Sequence, residues 1–170
     1  MLNSELWQKP PAGASGFYTH QIANSVRFSG DAELADSRSG DGSTTKGTFS
    51  IWFKRSELSD GSNDVFLMHA REDGNNHIRV LLKEDDSIEV MGETGATVII
   101  ELETTLLIRD TSGWTHLAVL IEFTDSTAAD RCQLYINGNR VTVFDVENYP
   151  DDASQVTFLN TAATMFIGTN

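Results

Sequence analysis

The sequence predicts an all-β fold, an antiparallel two-sheet β-sandwich with an extended N-terminal arm. Three observations support this prediction. Apolar and polar residues alternate in short stretches, Gly, Asn and Asp cluster between these stretches, and no segment has a convincing helical period. The 170 residues are enough for one domain with a sizeable core. Many short antiparallel strands separated by turns are typical of a sandwich.

Residues 1–20 are predicted to form the arm, because prolines and glycines interrupt any regular structure there. Large apolar side chains nevertheless recur through this segment, which favours packing on this domain or on a neighbouring molecule. The domain itself is predicted to span residues 21–170. The predicted subunit contacts of the arm are Leu2, Leu6, Trp7, Phe17 and Tyr18.

The chain after the arm divides into short strands joined by turns. The first strand is predicted in SVRFSG, with Val26 and Phe28 on one face, and a polar, glycine-rich loop follows at 37–47. Turns at DGSND, REDGNN and EDD separate the middle strands. These are predicted at 65–70, 77–83 and 87–92, with one strand or a pair of strands at 96–108.

Two later segments carry the clearest alternation. The stretch TFSIWFK places three large apolar side chains on one face and Trp52 on the other. From Trp114 to Phe123 each odd position from 117 onward is apolar. The stretch CQLYINGNRVTVF predicts a hairpin, because Asn137-Gly138 tolerates the positive φ angles of a type I′ turn. We expect the core to contain Phe49, Ile51, Phe53, Leu117, Val119, Ile121 and Leu134.

The final predicted strand, TMFIGTN, runs to residue 170. We expect the edge of this strand to be covered by residues beyond 170 or by a partner strand, because exposed strand edges are rarely left open. The chain is therefore predicted to be a fragment of a longer polypeptide, with the last strand of the sandwich missing.

Composition excludes several functional classes. The net charge is −13, and such a surface repels phosphate backbones and anionic lipids, so we expect no nucleic-acid partner. The beginning of the chain predicts no signal peptide, and no apolar stretch is long enough for membrane insertion. The single cysteine, Cys132, excludes an intrachain disulfide and is predicted to be a small buried side chain.

The stretch GWTHLAVLIEF followed by CQLYINGNRV resembles the laminin-G-like, concanavalin A-like jelly roll. In that superfamily a Trp-x-His opens a central strand and a Tyr-x-Asn-Gly hairpin follows. Trp114, His116 and Tyr135 stand in those places. The stretches SVRFSG and GTFSIWFKRS resemble the first two strands, so the resemblance covers nearly everything except the arm and implies a jelly roll.

A longer pattern is similar to the jelly-roll domains of bacteriophage tail and other virion structural proteins. The stretches SIWFKRS, IRDTSGWTH and STAADRCQLYINGNRVTVF carry this resemblance, most specifically within residues 108–150. It implies a non-enzymatic virion protein, tail-fibre, tail-associated or head-decorating, that assembles with other virion subunits as a homo-oligomer. The protein would then be synthesised in the host cytoplasm and located in the virion.

Paired carboxylates are the first candidates for chemistry, since glucanases of this superfamily carry their catalytic carboxylates on one strand. The nearest matches are Glu101 and Glu103, which share a face, and the stretch KEDDSIE at 83–89. No third carboxylate or aromatic subsite accompanies the first pair, and the second stretch is a turn. We therefore expect solvated side chains, no catalytic residue and no enzymatic activity.

Calcium is the cofactor to consider, because laminin-G domains often hold this ion at the rim of the sandwich. Asp60, Asp64 and Asp73 offer oxygen ligands in loops. Tight turns also prefer Asp, Asn and Gly, and turn formation is the favoured explanation. We expect no cofactor, with these three aspartates as the candidates if calcium is bound.

Two aromatic side chains have alternative roles. His116 is expected to form a hydrogen bond in the core or between the sheets. Trp52 lies either on an outer face or against a second layer; packing is favoured, and an exposed indole would be a candidate platform for stacking a sugar.

The alternative to a virion structural role is a lectin-like module that binds host-surface glycans, since the fold hosts many lectins. A hydrolase is the third and least favoured interpretation. An exposed aromatic side chain would favour glycan binding, and an apolar arm that reaches a neighbour would favour virion assembly.

Overall fold

The computed structural model describes residues 24–28, 32–37, 42–151 and 163–168, and nearly all of their regular structure is β. One short helix, α1 (Ala128–Arg131), precedes a strand. The strands are β1 (Leu34–Ser37), β2 (Lys46–Phe53), β3 (Val65–Asp73), β4 (Asn76–Leu82), β5 (Ile88–Thr94), β6 (Thr97–Thr104), β7 (Thr115–Glu122), β8 (Cys132–Ile136), β9 (Asn139–Arg140), β10 (Phe144–Asn148) and β11 (Thr164–Ile167).

These strands form two antiparallel sheets, which confirms the predicted sandwich. The larger sheet has seven strands in the order β1-β11-β3-β4-β5-β6-β10, and the smaller has four in the order β2-β7-β8-β9. Side chains from the inner faces of both sheets form one apolar cluster between them. β4 to β8 supply most of its fully buried members.

The predicted core positions all face this cluster. Leu117, Val119, Ile121 and Leu134 are buried, whereas the three inward side chains of β2 are only half-buried. The difference follows from the sheet order, because β2 is the outermost described strand of the smaller sheet. Cys132 is also buried as predicted, and burial raises the pKa of its thiol to about 12.

The hairpin between β8 and β9 has the predicted turn. Asn137 and Gly138 have φ angles of 52° and 79°, the left-handed region that a type I′ turn requires. The Asn137 backbone N–H donates to the His116 carbonyl at 2.8 Å, and the His116 N–H donates to Asn137 Oδ1 at 2.9 Å. The turn is thereby fastened to the beginning of β7.

The predicted first strand is wrong for the residues that the structure describes. Residues 24–28 belong to no strand, and Val26 is 63% exposed. Phe28 instead lies directly against Gly168, in the space that any side chain at 168 would occupy. Of the two apolar residues that suggested a strand, only Phe28 packs, against Gly168, and Val26 is exposed.

β1 was not predicted from the sequence. Its residues, LADS, include Ala and Asp, which are depleted in strands. All four side chains are exposed, so no buried face produces an apolar alternation. Pairing with β11 defines this strand, from Leu34 opposite Ile167 to Ser37 opposite Thr164.

β11 does not have the open edge that we expected. It lies inside the larger sheet, paired with β1 on one side and with β3 on the other. Its neighbours in the sheet are therefore supplied by this chain, and no partner strand is needed to cover it.

A buried ion cluster fastens three loops at one end of the sandwich. Asp86 accepts a hydrogen bond from Arg55 at 2.7 Å and another from Arg109 at 3.0 Å. The Ser59 N–H also donates to Asp86, and Arg55 donates to the Ile108 carbonyl at 2.6 Å. Arg55 belongs to the KRS motif and Arg109 to the IRD motif, so two motifs that are distant in sequence meet at one carboxylate.

The arm predicted at residues 1–20, with its five contact side chains Leu2, Leu6, Trp7, Phe17 and Tyr18, lies outside the described residues. Among the described residues, no helix has the length and apolar character needed to cross a bilayer.

Candidate functional site

The outer face of the four-stranded sheet combines aromatic and uncharged polar side chains. These side chains alternate with the core residues of β2, β7 and β8, so they point away from the core. We call this surface the tryptophan face and define it by Ser50, Trp52, His116, Ala118, Gln133 and Tyr135.

Trp52 and His116 form the aromatic part of the tryptophan face. They are opposite each other in the β2–β7 register, with ring centroids 4.9 Å apart and an interplanar angle of 31°. Ser50 Oγ and His116 Nε2 share a hydrogen bond of 2.9 Å. The expected role of His116 in the core or between the sheets is wrong, because its neighbour Leu117 takes the inward position. Trp52 is 41% exposed, which selects the outer-face alternative for this residue.

The polar part of the tryptophan face lies on β8. The Tyr135 hydroxyl donates to Gln133 Oε1 at 2.7 Å, and Gln133 Nε2 donates to the Asp130 carbonyl at 3.2 Å. Ala118 is opposite Tyr135 in the register and separates the aromatic part from the polar part. Because the Ala118 side chain is small, the surface is recessed between the larger side chains on either side.

A shallow depression continues the tryptophan face towards the beginning of β2. It has a volume of about 370 Å³ and is open to solvent on one side. Its lining includes Lys46, Thr48, Leu120, Glu122 and Gln133. Gln133 therefore belongs to both the face and the depression, which makes the two surfaces continuous.

The outer face of the seven-stranded sheet carries a group of charged side chains. Glu89 on β5 is opposite Glu103 on β6, and Glu101 lies two residues before Glu103 on the same side. Arg79 and Lys83 accompany these carboxylates. We call this surface the glutamate face and define it by Arg79, Lys83, Glu89, Glu101 and Glu103.

The glutamate face corrects two expectations. A third carboxylate, Glu89, does accompany the pair Glu101 and Glu103, because the β5–β6 hairpin brings it alongside. Glu89 and Glu103 are also buried, at 5% and 9% exposure, and are not solvated. Counting the hairpin register outward from its turn would place Glu89 opposite Leu102, and only the bulge between Gly92 and Glu93 brings Glu89 opposite Glu103, so no sequence signal revealed this contact.

Cations neutralise the buried carboxylates. Lys83 Nζ lies 2.6 Å from Glu103 and 4.0 Å from Glu89, and Arg79 lies 3.2 Å from Glu89. Burial raises the pKa of Glu89, while Arg79 and Lys83 act in the opposite direction. Because each buried carboxylate contacts a cation, this arrangement is that of a structural ion network.

Aromatic side chains continue the glutamate-bearing sheet towards β3 and β11. The His69 ring lies 5.2 Å from Phe66 and 5.7 Å from His77, measured between ring centroids. Arg71 lies over the Phe166 ring at 5.5 Å. Burial, followed by the nearby positive groups, lowers the pKa of His69 to about 4. His69 is therefore neutral near pH 7.

The three calcium candidates stabilise backbone turns. Asp60 accepts from the Ser62 N–H, Asp64 from the Glu84 N–H, and Asp73 from the Asn75 N–H. Within the described parts of the chain, no three acidic, His or Cys groups are placed to share a metal ion. The expectation of no cofactor, with these three aspartates as the candidates if calcium is bound, stays a prediction.

The sequence profile described as the concanavalin A-like lectin/glucanases superfamily matches residues 26–169. The chain belongs to this superfamily. A search of curated proteins gave no significant match.

Solved structures of the concanavalin A-like superfamily show the same fold. A heptameric SAP-like pentraxin from Limulus polyphemus superposes with a TM-score of 0.51 and 14% sequence identity. The match covers 79% of this chain and 56% of the pentraxin chain. This chain thus spans little more than half of that relative. The CBM40 module of the Ruminococcus gnavus IT-sialidase, bound to α2,3-sialyllactose, has a TM-score of 0.51 and 12% identity, covering 82% and 80%. At these identities the likeness establishes the fold alone.

Proposed function

We propose that this chain is a non-catalytic module that binds glycans on the tryptophan face. The observation that carries the proposal is Trp52, whose indole is 41% exposed on a regular sheet. The apolar C–H surface of a sugar ring packs on an indole, and its hydroxyls exchange hydrogen bonds with side-chain hydroxyl and amide groups. The tryptophan face offers both kinds of group side by side.

The superfamily supports this proposal at the level of the fold. The CBM40 module of similar structure is described in complex with a sialylated sugar, so the architecture is compatible with glycan binding. The open shape of the tryptophan face would leave one side of a ligand in water. We therefore expect weak binding, with a dissociation constant of about 0.1–1 mM for a single site.

Substitution of Trp52 tests the proposal. Wild-type protein and Trp52→Ala would be screened on an oligosaccharide array, and positive sugars would be titrated by calorimetry. We expect Trp52→Ala to weaken binding about tenfold or more, because the stacking surface is lost. Leu106→Ala is the matched control, since Leu106 is an exposed apolar side chain in a loop outside the tryptophan face.

Thermal unfolding monitored by circular dichroism would establish that both variants remain folded. Unchanged affinity in a folded Trp52→Ala variant would contradict the proposal, as would the absence of any wild-type ligand among neutral and acidic oligosaccharides.

Virion assembly is the second candidate function. The resemblance of residues 108–150 to virion proteins and the apolar residues of the arm favour it. In this role the chain would join other virion subunits as part of a homo-oligomer in the particle. The two candidates are compatible, because the arm could anchor the protein while the tryptophan face remains exposed to host glycans.

A further inference from the structure

The charged side chains around the tryptophan face are already paired with each other. Lys46 Nζ lies 2.8 Å from Glu122 Oε2 at one end of the β2–β7 pair. Arg140, which is opposite Tyr135 in the β8–β9 register, lies 2.7 Å from Asp130 Oδ1. Arg140 also donates to the Ala129 carbonyl at 2.7 Å. An acidic ligand would therefore have to compete with Glu122 for Lys46 and with Asp130 for Arg140.

Beyond the end of β2, Lys54 adds a further positive charge. Hydrogen bonds from Ser112 and then Gly113 are the main causes that lower the pKa of Asp110, burial opposes them, and the charge of Lys54 is the smallest of the causes that lower it. Lys46 and Arg140, the two cations beside the tryptophan face, are thus each paired with an acidic residue. The chain as a whole has a net charge of −13, which adds long-range repulsion of anions.

The groups available to a ligand are uncharged or aromatic. They are the Ser50 and Tyr135 hydroxyls, the Gln133 amide and the Trp52–His116 ring pair. Hydroxyl and amide groups can both donate and accept, so they match sugar hydroxyls of either orientation. A carboxylate or sulfate placed there would lose water without gaining a cation, which is unfavourable.

We infer that the ligand of the tryptophan face is a neutral, hydroxyl-rich sugar chain and not an acidic glycan. This inference rests on the proposed function and specifies the ligand class for the same surface. The depression at Thr48, Leu120 and Gln133 extends the tryptophan face along the strands. The protein would therefore contact more than one sugar unit of a bound oligosaccharide.

Matched pairs of oligosaccharides test the ligand class. The probes are lactose with α2,3-sialyllactose, and oligogalactan with oligogalacturonate of equal length, titrated against wild-type protein, Trp52→Ala and Glu122→Gln at low salt. We expect the neutral member of a pair to bind roughly tenfold more tightly, because the acidic member lacks a cationic partner. Trp52→Ala should weaken the binding of the neutral member.

Glu122→Gln removes the partner of Lys46 and should improve binding of the acidic member by about threefold. Glu84→Gln, at an exposed site away from the face, should change neither affinity. Equal or tighter binding of acidic members that still depends on Trp52 would overturn the ligand class alone. If Glu122→Gln prefers the neutral over the acidic member as strongly as wild-type protein does, the ligand class would also be overturned. Binding of no member, or binding indifferent to Trp52, would overturn the proposed function itself.

Discussion

At the residue scale, the Asp86 carboxylate connects three loops of the sandwich. Its side chain is only 8% exposed and contacts two guanidinium groups, from Arg55 and Arg109. It also has a φ angle of 77°, so the turn between β4 and β5 places it in a conformation that few residues adopt. One carboxylate thereby joins the loops that follow β2, β4 and β6.

Removal of the Asp86 carboxylate should destabilise the fold. Asp86→Ala would leave the buried Arg55 guanidinium without its ionic partner, and we expect a loss of about 3 kcal/mol in the free energy of unfolding. Chemical denaturation monitored by tryptophan fluorescence would measure the loss. Glu84→Ala, at an exposed site in the same turn, should change stability by less than about 0.5 kcal/mol. Equal stability of the two variants would show that the cluster contributes nothing.

The contribution of Asp86 should also depend on pH. Burial opposes its ionisation, but the Ser59 N–H and the two guanidinium groups outweigh burial and lower the pKa of Asp86 below its usual 3.8. Ionised Asp86 therefore stabilises the fold above the unfolded pKa, and this stabilisation disappears as the pH falls through the lower folded pKa. We expect the stability difference between wild-type and Asp86→Asn to narrow as the pH is lowered below about 4. A difference independent of pH would contradict this assignment.

The three glutamates of the glutamate face should not catalyse hydrolysis. Lys83 contacts Glu103 at 2.6 Å, and Arg79 contacts Glu89, so neither carboxylate is prepared to exchange a proton with a substrate. We expect no release of reducing ends from β-glucans or host polysaccharides. Any turnover in the wild-type protein that Glu103→Gln abolishes would show that these residues are catalytic.

At the element scale, the turn between β8 and β9 fixes the register of a hairpin. The β8 side chains of this hairpin contribute alternately to the core and to the tryptophan face. Gly138 has a φ angle of 79°, which any L-residue with a side chain adopts at a cost. We expect Gly138→Ala to lower the free energy of unfolding by about 1 kcal/mol. Gly74→Ala is the control, because Gly74 lies in another hairpin turn without a positive φ and with open space around it. Equal melting temperatures of the two variants would contradict the role of the turn.

Strand alternation predicted the elements whose inner face is buried and whose outer face is polar. β7 and the β8–β9 hairpin follow this pattern, and so does Trp52 on the outer side of β2. The pattern could not place Glu89 beside Glu103, because pairing between strands depends on the register of a hairpin containing a bulge between Gly92 and Glu93. It also missed β1, which has no buried face, and it misassigned Val26, which belongs to no strand and is largely exposed.

At the scale of the whole molecule, the arm and the sandwich are predicted to be separable. The described residues of both sheets form one apolar core. Deletion of residues 1–19 should leave the melting temperature nearly unchanged, and under the proposed virion role it should abolish incorporation into particles. Particle composition measured by mass spectrometry would test this, and wild-type occupancy of the deletion variant would show that the arm is not the attachment device.

The position of β11 between β1 and β3 has a consequence for how the protein folds. Ser37 and Thr164, whose side chains lie 3.5 Å apart across the β1–β11 pair, are separated by 127 residues of chain. Such a pairing raises the contact order, because most of the loop-closure entropy is lost before the contact forms. We therefore expect slow folding, on the order of milliseconds to seconds. During synthesis, β1 waits for its neighbour until residues 164–167 have left the ribosome.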